Sequence, residues 1–276
     1  MSERKLGRRM ALYAVVCTTI IYSFFPIYWM IISSFRDDQS LYADFSLLPG
    51  PFHLVNYEVL LGLTDYPNWF ANSLLVAFGT VCITLLLSVL IAYSVTRLKF
   101  RGKTAVVGTM LYAYMFPPLL LAIPLFSLFV KLDIDDTRFS LMISHCTISL
   151  PLGVWLLWGF FKQIPVDVEE AAMVDGCSRL KAFVLVVLPL TLPGLVTVAI
   201  FSFLLSWTDY TFALVMISTD SLKTLPAGLD TMVGSYELRW GELMAGSTLI
   251  ALPLLIMFMF LSRYFIRGLS AGSLKG

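Results

Sequence analysis

Charge is scarce in this 276-residue chain, since Asp, Glu, Lys and Arg make up 13% of it and hydrophobic residues 58%. An ordinary soluble domain carries about 25% charged residues, because its surface must face water. The shortage of charge excludes a soluble globular fold, and the excess of apolar residues excludes a disordered chain. The mean hydropathy of +0.84 indicates an integral membrane protein that crosses the bilayer several times.

Cysteine and histidine are also few, with four and two residues. The cysteines have neither the spacing of a metal site nor the pattern of a disulfide framework. Gly102-Lys103-Thr104 lacks the earlier glycine that a phosphate-binding loop needs, and no H-E-x-x-H or G-x-S-x-G motif occurs. We therefore predict no catalytic residue, no metal and no cofactor bound by this chain. The balance of 19 basic and 18 acidic residues gives no indication of a nucleic-acid partner.

Six apolar stretches are long enough to cross a bilayer, which needs about 20 residues per helix. They are 11–35, 69–96, 104–130, 139–161, 183–207 and 243–262. Two linkers are long, 36–68 and 208–242, and no internal repeat is found. The sequence thus predicts a single all-α membrane domain over 1–276, with six transmembrane helices.

The basic residues predict the orientation. With six spans both termini lie on one side, and 14 of the 19 Lys and Arg residues fall on that side. Cytoplasmic loops carry an excess of Lys and Arg. Both termini and the loop 162–182 are therefore predicted to be cytoplasmic, and the two long linkers to be outer loops.

The predicted spans contain no Asp, Glu, Lys or Arg away from their ends. Carriers coupled to protons or sodium generally use such buried groups, so we expect the energy for transport to come from elsewhere and the solute to be neutral and hydroxyl-rich. His145 lies inside the fourth span. Because no span offers it a carboxylate partner, we interpret it as a hydrogen-bonded structural residue, with a functional role as the alternative.

Two spans carry a polar face at helical spacing. Small and hydroxyl residues in the second span predict close packing against another helix: Ser73, Ala77, Thr80, Thr84 and Ser88. A hydroxyl and indole face in the fourth span is compatible with a sugar path, and equally with packing plus an interfacial aromatic belt: Ser140, Ser144, Thr147, Pro151, Trp155 and Trp158. Residues near other span ends have the same two interpretations. The candidates for a solute path are Tyr114, Ser144, Thr147, Trp155, Trp207, Asp209 and Tyr210.

The predicted cytoplasmic loop 162–182 has the signals of a short, capped helix. Pro165 suits a first helical turn, acidic residues follow where they complement the helix dipole, and Gly176 can end the helix in a left-handed turn. Small apolar residues are left exposed, with no apolar partner in the loop itself. The loop is either an interfacial amphipathic helix or a plug for a groove on another protein.

This loop resembles the EAA loop of ABC importer permeases. Glu170-Ala171-Ala172 is followed after three residues by Gly176, and after nine more by Val186-Val187-Leu188-Pro189. The family pattern is E-A-A-x3-G-x9-I-x-L-P, with valine here at the isoleucine position. The six-span layout, the basic N-terminus and the tail also resemble maltose-type permeases for sugar uptake, in particular their smaller, MalG-like subunit, over essentially the whole chain.

The resemblance implies a type I ABC importer permease in a prokaryotic cytoplasmic membrane. It implies a sister permease, two ATPase subunits that bind ATP and Mg, an extracytoplasmic solute-binding protein above, and surrounding lipid. The expected residues for coupling to the ATPase are Glu169, Glu170, Ala171, Ala172, Asp175 and Gly176. It further implies that the segment 218–242 reaches the binding protein and that the C-terminus reaches the ATPases.

Other functions remain open at this point. The same architecture can carry a polyol, glycerol-phosphate or a compatible solute. A membrane-embedded enzyme is disfavoured because the spans hold no acid–base pair and no cluster of metal ligands. A secondary carrier is disfavoured because they hold no Asp, Glu, Lys or Arg away from their ends.

Overall fold

The computed structural model describes residues 2–43, 47, 52–233 and 239–273, and the regular structure in these ranges is entirely helical. In chain order the α-helices are α1 (Ser2–Ser34), α2 (Asp38–Ala43), α3 (Val55–Leu63), α4 (Tyr66–Arg97), α5 (Lys103–Tyr114), α6 (Pro118–Lys131), α7 (Arg138–Gln163), α8 (Val166–Val174), α9 (Arg179–Ala182), α10 (Leu188–Leu190), α11 (Leu192–Trp207), α12 (Thr211–Met216), α13 (Leu225–Val233) and α14 (Trp240–Ser273). A π-helical turn, Phe183–Val187, joins α9 to α10, and a 3-10 turn, Asp220–Leu222, precedes α13.

Among the residues that the structure describes, four helices are long and apolar enough to cross a membrane: α1, α4, α7 and α14. They correspond to the first, second, fourth and sixth predicted spans. The third and fifth spans are each a pair of helices with a bend, so the count is six when each pair is one span. The all-helical, multi-span prediction is therefore confirmed.

The third predicted span, 104–130, is not one continuous helix. The axes of α5 and α6 differ by 100° across a break of three residues. Pro117 and Pro118 explain the break, because a proline disfavours helical backbone at the residue before it and Pro117 itself is extended, with ψ of 130°. Pro118 then suits the first turn of α6.

The fifth predicted span, 183–207, is also broken. Its first part runs through the π-helical turn into α10, and α11 then departs at 73° after Thr191. Pro189 and Pro193 flank the bend, and a proline removes an amide donor from the helical ladder. The fifth span therefore bends at Thr191, within the predicted span and beyond the predicted cytoplasmic loop 162–182.

The chain divides into two units, of which the first comprises Met1–Tyr66 and Leu229–Pro253. Within it, the Asn56 side-chain amide donates hydrogen bonds to the carbonyls of Ser34 and Arg36, at 2.9 and 2.7 Å. The Tyr66 hydroxyl donates to the Gly246 carbonyl at 2.9 Å. Large apolar side chains of α1 remain exposed, for example Tyr22 at 82%. Such a surface requires lipid or another apolar protein to cover it.

The second unit comprises Pro67–Gly228 and Leu254–Gly276 and contains the bent pairs. Its two hydrophobic clusters lie at opposite ends of α7, one around Leu141 and one around Leu157 and Phe161. Asn72 ties α4 to the following elements, since its side chain donates to the carbonyls of Ser221 and Lys223 and accepts from the Arg138 guanidinium. These contacts hold the predicted outer loop against the spans.

The small-residue face of α4 packs as predicted. Ser73, Ala77, Thr80, Thr84 and Ser88 are all at most 2% exposed. The Thr84 hydroxyl makes a 2.7 Å hydrogen bond with the Ser149 hydroxyl of α7. A Cβ added to Gly153 of α7 would lie 3.2 Å from the Ser88 Cβ. Small residues thus allow α4 and α7 to approach closely.

Both predicted outer loops contain short helices, α2 and α3 in 36–68 and α12 and α13 in 208–242. Residues 234–238 of the segment expected to reach a binding protein lie outside the described residues, as do the C-terminal residues 274–276. The helix α14 continues past the predicted end of the sixth span at 262, to Ser273.

Candidate coupling loop and solute cleft

The predicted cytoplasmic loop folds as the sequence suggested, into a short helix with defined ends. Pro165 precedes α8, and Gly176 follows its C-cap, Asp175; the φ of +90° at Gly176 confirms the predicted left-handed turn. The Cys177 amide donates to the Ala172 carbonyl and the Gly176 amide to the Met173 carbonyl, at 3.0 and 3.1 Å. This pair of bonds is a Schellman motif, which satisfies carbonyls at the end of the helix. The loop therefore contains a helix with a hydrogen-bonded C-terminal cap.

Ser178 starts the next helix, α9, by accepting a hydrogen bond from the Lys181 amide. The chain thus passes from α8 through Gly176 to α9 and directly into the π-helical turn of the fifth span. Four residues, 175–178, separate α8 from α9, so α8 is connected to the fifth span by a short, structured segment.

The residues grouped as coupling residues divide between two faces of α8. Glu170 and Ala171 are exposed, as are Asp175 and Gly176 after the helix, and Ala172 is half-buried. Glu169 is different, because only 3% of it is exposed. Its carboxylate faces into the chain and is not available to a partner protein.

Glu169 forms an ion pair with Arg97 at the end of α4. The Arg97 Nε lies 3.0 Å from Glu169 Oε2, and both side chains are about 95% buried, with 6% and 4% exposed. Arg97 also donates to the Ile164 carbonyl at 2.9 Å, and the Tyr93 hydroxyl donates to Glu169 Oε1. The buried charges are therefore both paired and hydrogen-bonded, as buried charges must be to persist.

Tyr93 connects this tether to two further spans. Its ring lies 4.3 Å from the Phe183 ring at the π-helical turn and 6.1 Å from the Phe161 ring of α7, between centroids. The helix α8 is thus linked to α4 by an ion pair, and α4 to the fourth and fifth spans by aromatic contacts. Nothing in the sequence singled out Arg97 and Tyr93, because partners separated by 72 and 76 residues leave no local pattern.

Near the other end of α7, a cleft of about 280 Å³ opens between the fourth and fifth spans and the start of α6. It is lined by Pro118, His145, Ile148, Leu205, Thr208, Asp209, Tyr210, Thr211 and Phe212. His145 precedes Lys162 by 17 residues, so about 25 Å of helix separates the cleft from the coupling-loop end.

His145 does have a carboxylate partner, which corrects the expectation from sequence. Its Nε2 lies 3.2 Å from Asp209 Oδ2, and its Nδ1 shares a 2.8 Å hydrogen bond with the Ser206 hydroxyl. Asp209 follows the end of α11, and α11 contacts α7 along the fourth span, so Asp209 lies beside His145. Asp209 also accepts bonds from the amides of Phe212 and Ala213, both at 3.1 Å, and so caps α12.

The path candidates separate in the structure. Asp209 and Tyr210 line the cleft, whereas the remaining five do not: Tyr114, Ser144, Thr147, Trp155 and Trp207. Trp207 is fully buried, stacked on Phe203 with ring centroids 5.4 Å apart. Ser144 and Thr147 donate to carbonyls of their own helix, at 2.8 and 2.6 Å. Trp207 is therefore a core residue, and the hydroxyls of the fourth-span stripe are engaged by helix backbone.

Comparison with known proteins agrees with this architecture. Residues 84–271 match the family of binding-protein-dependent transport system inner membrane components. The inner membrane ABC transporter permease protein YcjP of Escherichia coli is 34% identical, covering 100% of this chain and 99% of that protein. The trehalose/maltose permease MalG of Thermococcus litoralis is 33% identical over 100% of both chains. The trehalose permease SugB of Mycobacterium tuberculosis is 32% identical, over 98% of this chain and all of that one.

A solved structure shares the fold. A chain of a bacterial ABC transporter involved in import of the polysaccharide alginate superposes with a TM-score of 0.84, at 20% identity, over 96% of this chain and 98% of that one. The all-helical architecture is therefore that of an ABC importer permease. The chain belongs to the family of binding-protein-dependent transport system inner membrane components, and it is a multi-pass membrane protein.

Proposed function

We propose that this chain is one of two permease subunits of an ABC importer for a sugar, and that it converts ATPase movement into opening of a solute path. The observation that carries the proposal is the capped helix α8, which presents Glu170 and Ala171 outward while Glu169 anchors it to α4. An exposed helix with one anchored face suits docking into a groove on a partner. The chain itself is non-catalytic, and ATP and Mg belong to the partner ATPases.

The sugar assignment rests on the relatives and on the cleft. Relatives carry names for trehalose and maltose, trehalose, and diacetylchitobiose. The cleft offers a carboxylate, an imidazole and hydroxyls, which bond sugar hydroxyls, and the Tyr210 ring, which is 38% exposed. ATP hydrolysis by the purified complex with its binding protein, screened over maltose, trehalose and diacetylchitobiose, tests the assignment. Stimulation by none of these sugars, with stimulation by a polyol or glycerol-phosphate, would favour the alternative substrates.

Asp209→Asn is expected to weaken transport more than Trp155→Ala. Asparagine keeps the oxygen that caps α12 but removes the charge opposite His145, whereas Trp155 lies outside the cleft. On this proposal, sugar hydroxyls donate hydrogen bonds to the charged Asp209 carboxylate. A hydrogen bond to a charged group contributes about 1.5–3 kcal/mol, so its loss should lower the apparent affinity for the sugar roughly tenfold or more. The measurement is the concentration dependence of uptake in cells with equal expression. A larger defect in Trp155→Ala would instead assign the path to the fourth-span stripe.

The orientation is tested with native Cys177, which lies between α8 and α9, and with Ser221→Cys in the predicted outer loop. The variants are made in a background without Cys17, Cys82 and Cys146; Ser178 is left intact because it caps α9. A membrane-impermeant thiol reagent should label position 221 in intact spheroplasts and Cys177 only after permeabilisation. Labelling of Cys177 from outside would reverse the topology and remove α8 from the ATPases.

A further inference from the structure

A second cleft lies at the coupling-loop end of the second unit. It has a volume of about 220 Å³ and is lined by Val95, Thr96, Lys103, Thr104, Trp158 and Lys162. Three helices meet there: the last turn of α4, the first turn of α5 and the last turn of α7. None of these residues belongs to the coupling tether or to the solute cleft.

The cleft contains two cations and no anion to balance them. Within the part of the chain that the structure describes, no carboxylate oxygen lies within 4 Å of the ammonium group of Lys103 or Lys162. Lys162 instead lies over the Trp158 ring, 3.7 Å from its centroid. This cation–π contact holds one ammonium group in place at the wall of the cleft. Two like charges facing one cavity favour the binding of an anion between them.

The start of α5 adds a second source of positive potential. Gly102, with φ of +88°, precedes the helix, and no side chain caps its first amides. Those amides are orphan donors at the positive end of a 12-residue helix. Thr96 and Thr104 supply hydroxyls beside the lysines, and hydroxyls, ammonium groups and helix N-termini are the donors that phosphate groups use.

The position of the cleft favours a lipid as the source of the phosphate. The helices α4 and α7 both pass the criteria for membrane spans, and the cleft lies at their ends, where the headgroups of a bilayer lie. Trp158 is typical of this interfacial level. Leu98 and Phe100, in the turn that leads to α5, are 40% and 43% exposed. Apolar side chains beside a basic cleft suit acyl chains beside a headgroup.

We propose that this cleft binds the phosphodiester headgroup of an anionic phospholipid, held by Lys103 and Lys162 against the Trp158 ring. The phosphodiester carries one negative charge, so it offsets one of the two lysine charges while bonding to both ammonium groups, and it joins the ends of α4, α5 and α7. On the predicted topology it belongs to the cytoplasmic leaflet, where polybasic segments attract anionic lipid.

The test is native mass spectrometry of the assembled transporter, purified through a tag on this chain, with added phosphatidylglycerol or phosphatidylcholine. The wild type should retain phosphatidylglycerol in preference to phosphatidylcholine. Lys103→Gln with Lys162→Gln should weaken the tightest phosphatidylglycerol binding roughly tenfold or more. The matched control is Lys99→Gln with Lys181→Gln, which removes the same charge from exposed positions outside the cleft. The control should bind as the wild type does.

Three outcomes would overturn the proposal. Equal weakening in the control pair would mean that net charge attracts the lipid and the cleft does not. Equal retention of phosphatidylcholine would mean that the anionic headgroup is not recognised. Displacement of the lipid by millimolar inorganic phosphate, with phosphate retained in its place, would mean that the site takes free phosphate. Trp158→Phe, which keeps a ring under Lys162, should preserve binding. Equal recovery of the assembled transporter from the lysine variant and from the wild type shows that the loss of lipid is not loss of folding.

Discussion

Glu169→Gln is expected to abolish most transport while leaving insertion into the membrane intact. The substitution leaves Arg97 buried, at 6% side-chain exposure, without its counter-charge. Breaking a buried ion pair from one side costs about 3–5 kcal/mol. Glutamine can still accept a hydrogen bond from Arg97 or Tyr93 but has no charge, so the tether between α8 and α4 is weakened. On the proposed function, movement of α8 would then reach the fifth span through α9 but would no longer be passed fully to α4. Uptake should fall by at least tenfold, measured with the sugar identified in the ATPase screen and normalised to the amount of protein in the membrane.

Two variants separate a coupling defect from simple destabilisation. Asp167→Asn changes an exposed acid of the same helix and should transport normally. Arg97→Met combined with Glu169→Leu removes both charges, so the thermal stability of the detergent-solubilised protein should recover relative to Glu169→Gln. Uptake should not recover, because the polar tether is still missing. Full uptake by Glu169→Gln would show that the ion pair plays no part in coupling.

Gly176→Asp and Ala172→Trp are expected to lose uptake by a different route. A side chain at φ of +90° costs about 1 kcal/mol or more, and an acid at the end of α8 opposes the helix dipole. No atom lies within 4 Å of a Cβ added at Gly176, so the cost is conformational and electrostatic and not a clash. Tryptophan at the half-buried Ala172 overfills the surface that we propose docks to the ATPase. Both variants should insert normally and co-purify with less ATPase.

Gly176→Asn is the matched control, since asparagine has the same shape as aspartate, tolerates left-handed backbone and carries no charge. It should retain most ATPase binding and uptake. Wild-type levels of uptake in both Gly176→Asp and Ala172→Trp would be incompatible with α8 as the coupling element.

The local features of the coupling loop were predictable because each depends on neighbours in sequence. Pro165 and Gly176 mark the two ends of α8, and the structure has both. The packing face of α4 was predictable for a similar reason, since small residues at helical spacing lie on one stripe. Patterns of this kind depend on the period of the helix and not on the rest of the fold.

The bends of the third and fifth spans were missed although their signals are present. Pro117-Pro118 and the pair Pro189 and Pro193 interrupt the helical ladder. A search for about 20 consecutive apolar residues does not detect these bends, because proline does not end an apolar stretch. The pairing of Asp209 with His145 was missed for a different reason, because it depends on the contact between α11 and α7, which leaves no local pattern in the sequence.

The inward position of Glu169 was beyond sequence reasoning altogether. Three consecutive positions of one helix, 169–171, point in different directions, and only the location of Arg97 decides which carboxylate is buried. A motif identifies the residues of such a loop but not the face each one presents. The same holds for Trp207, whose place near a span end suggested a path but whose ring stacks in the core.

The His145–Asp209 pair makes the source of energy the most direct question about this protein, because such a pair is also what a proton-coupled carrier would use. The decisive measurement is sugar uptake into proteoliposomes that contain the purified complex. The ATPases face the interior of the vesicle, and the binding protein is added outside. Uptake should require enclosed ATP and the binding protein, and a proton gradient without ATP should give none. Uptake driven by a proton gradient in the absence of ATP would contradict the account of this chain as the permease of an ABC importer.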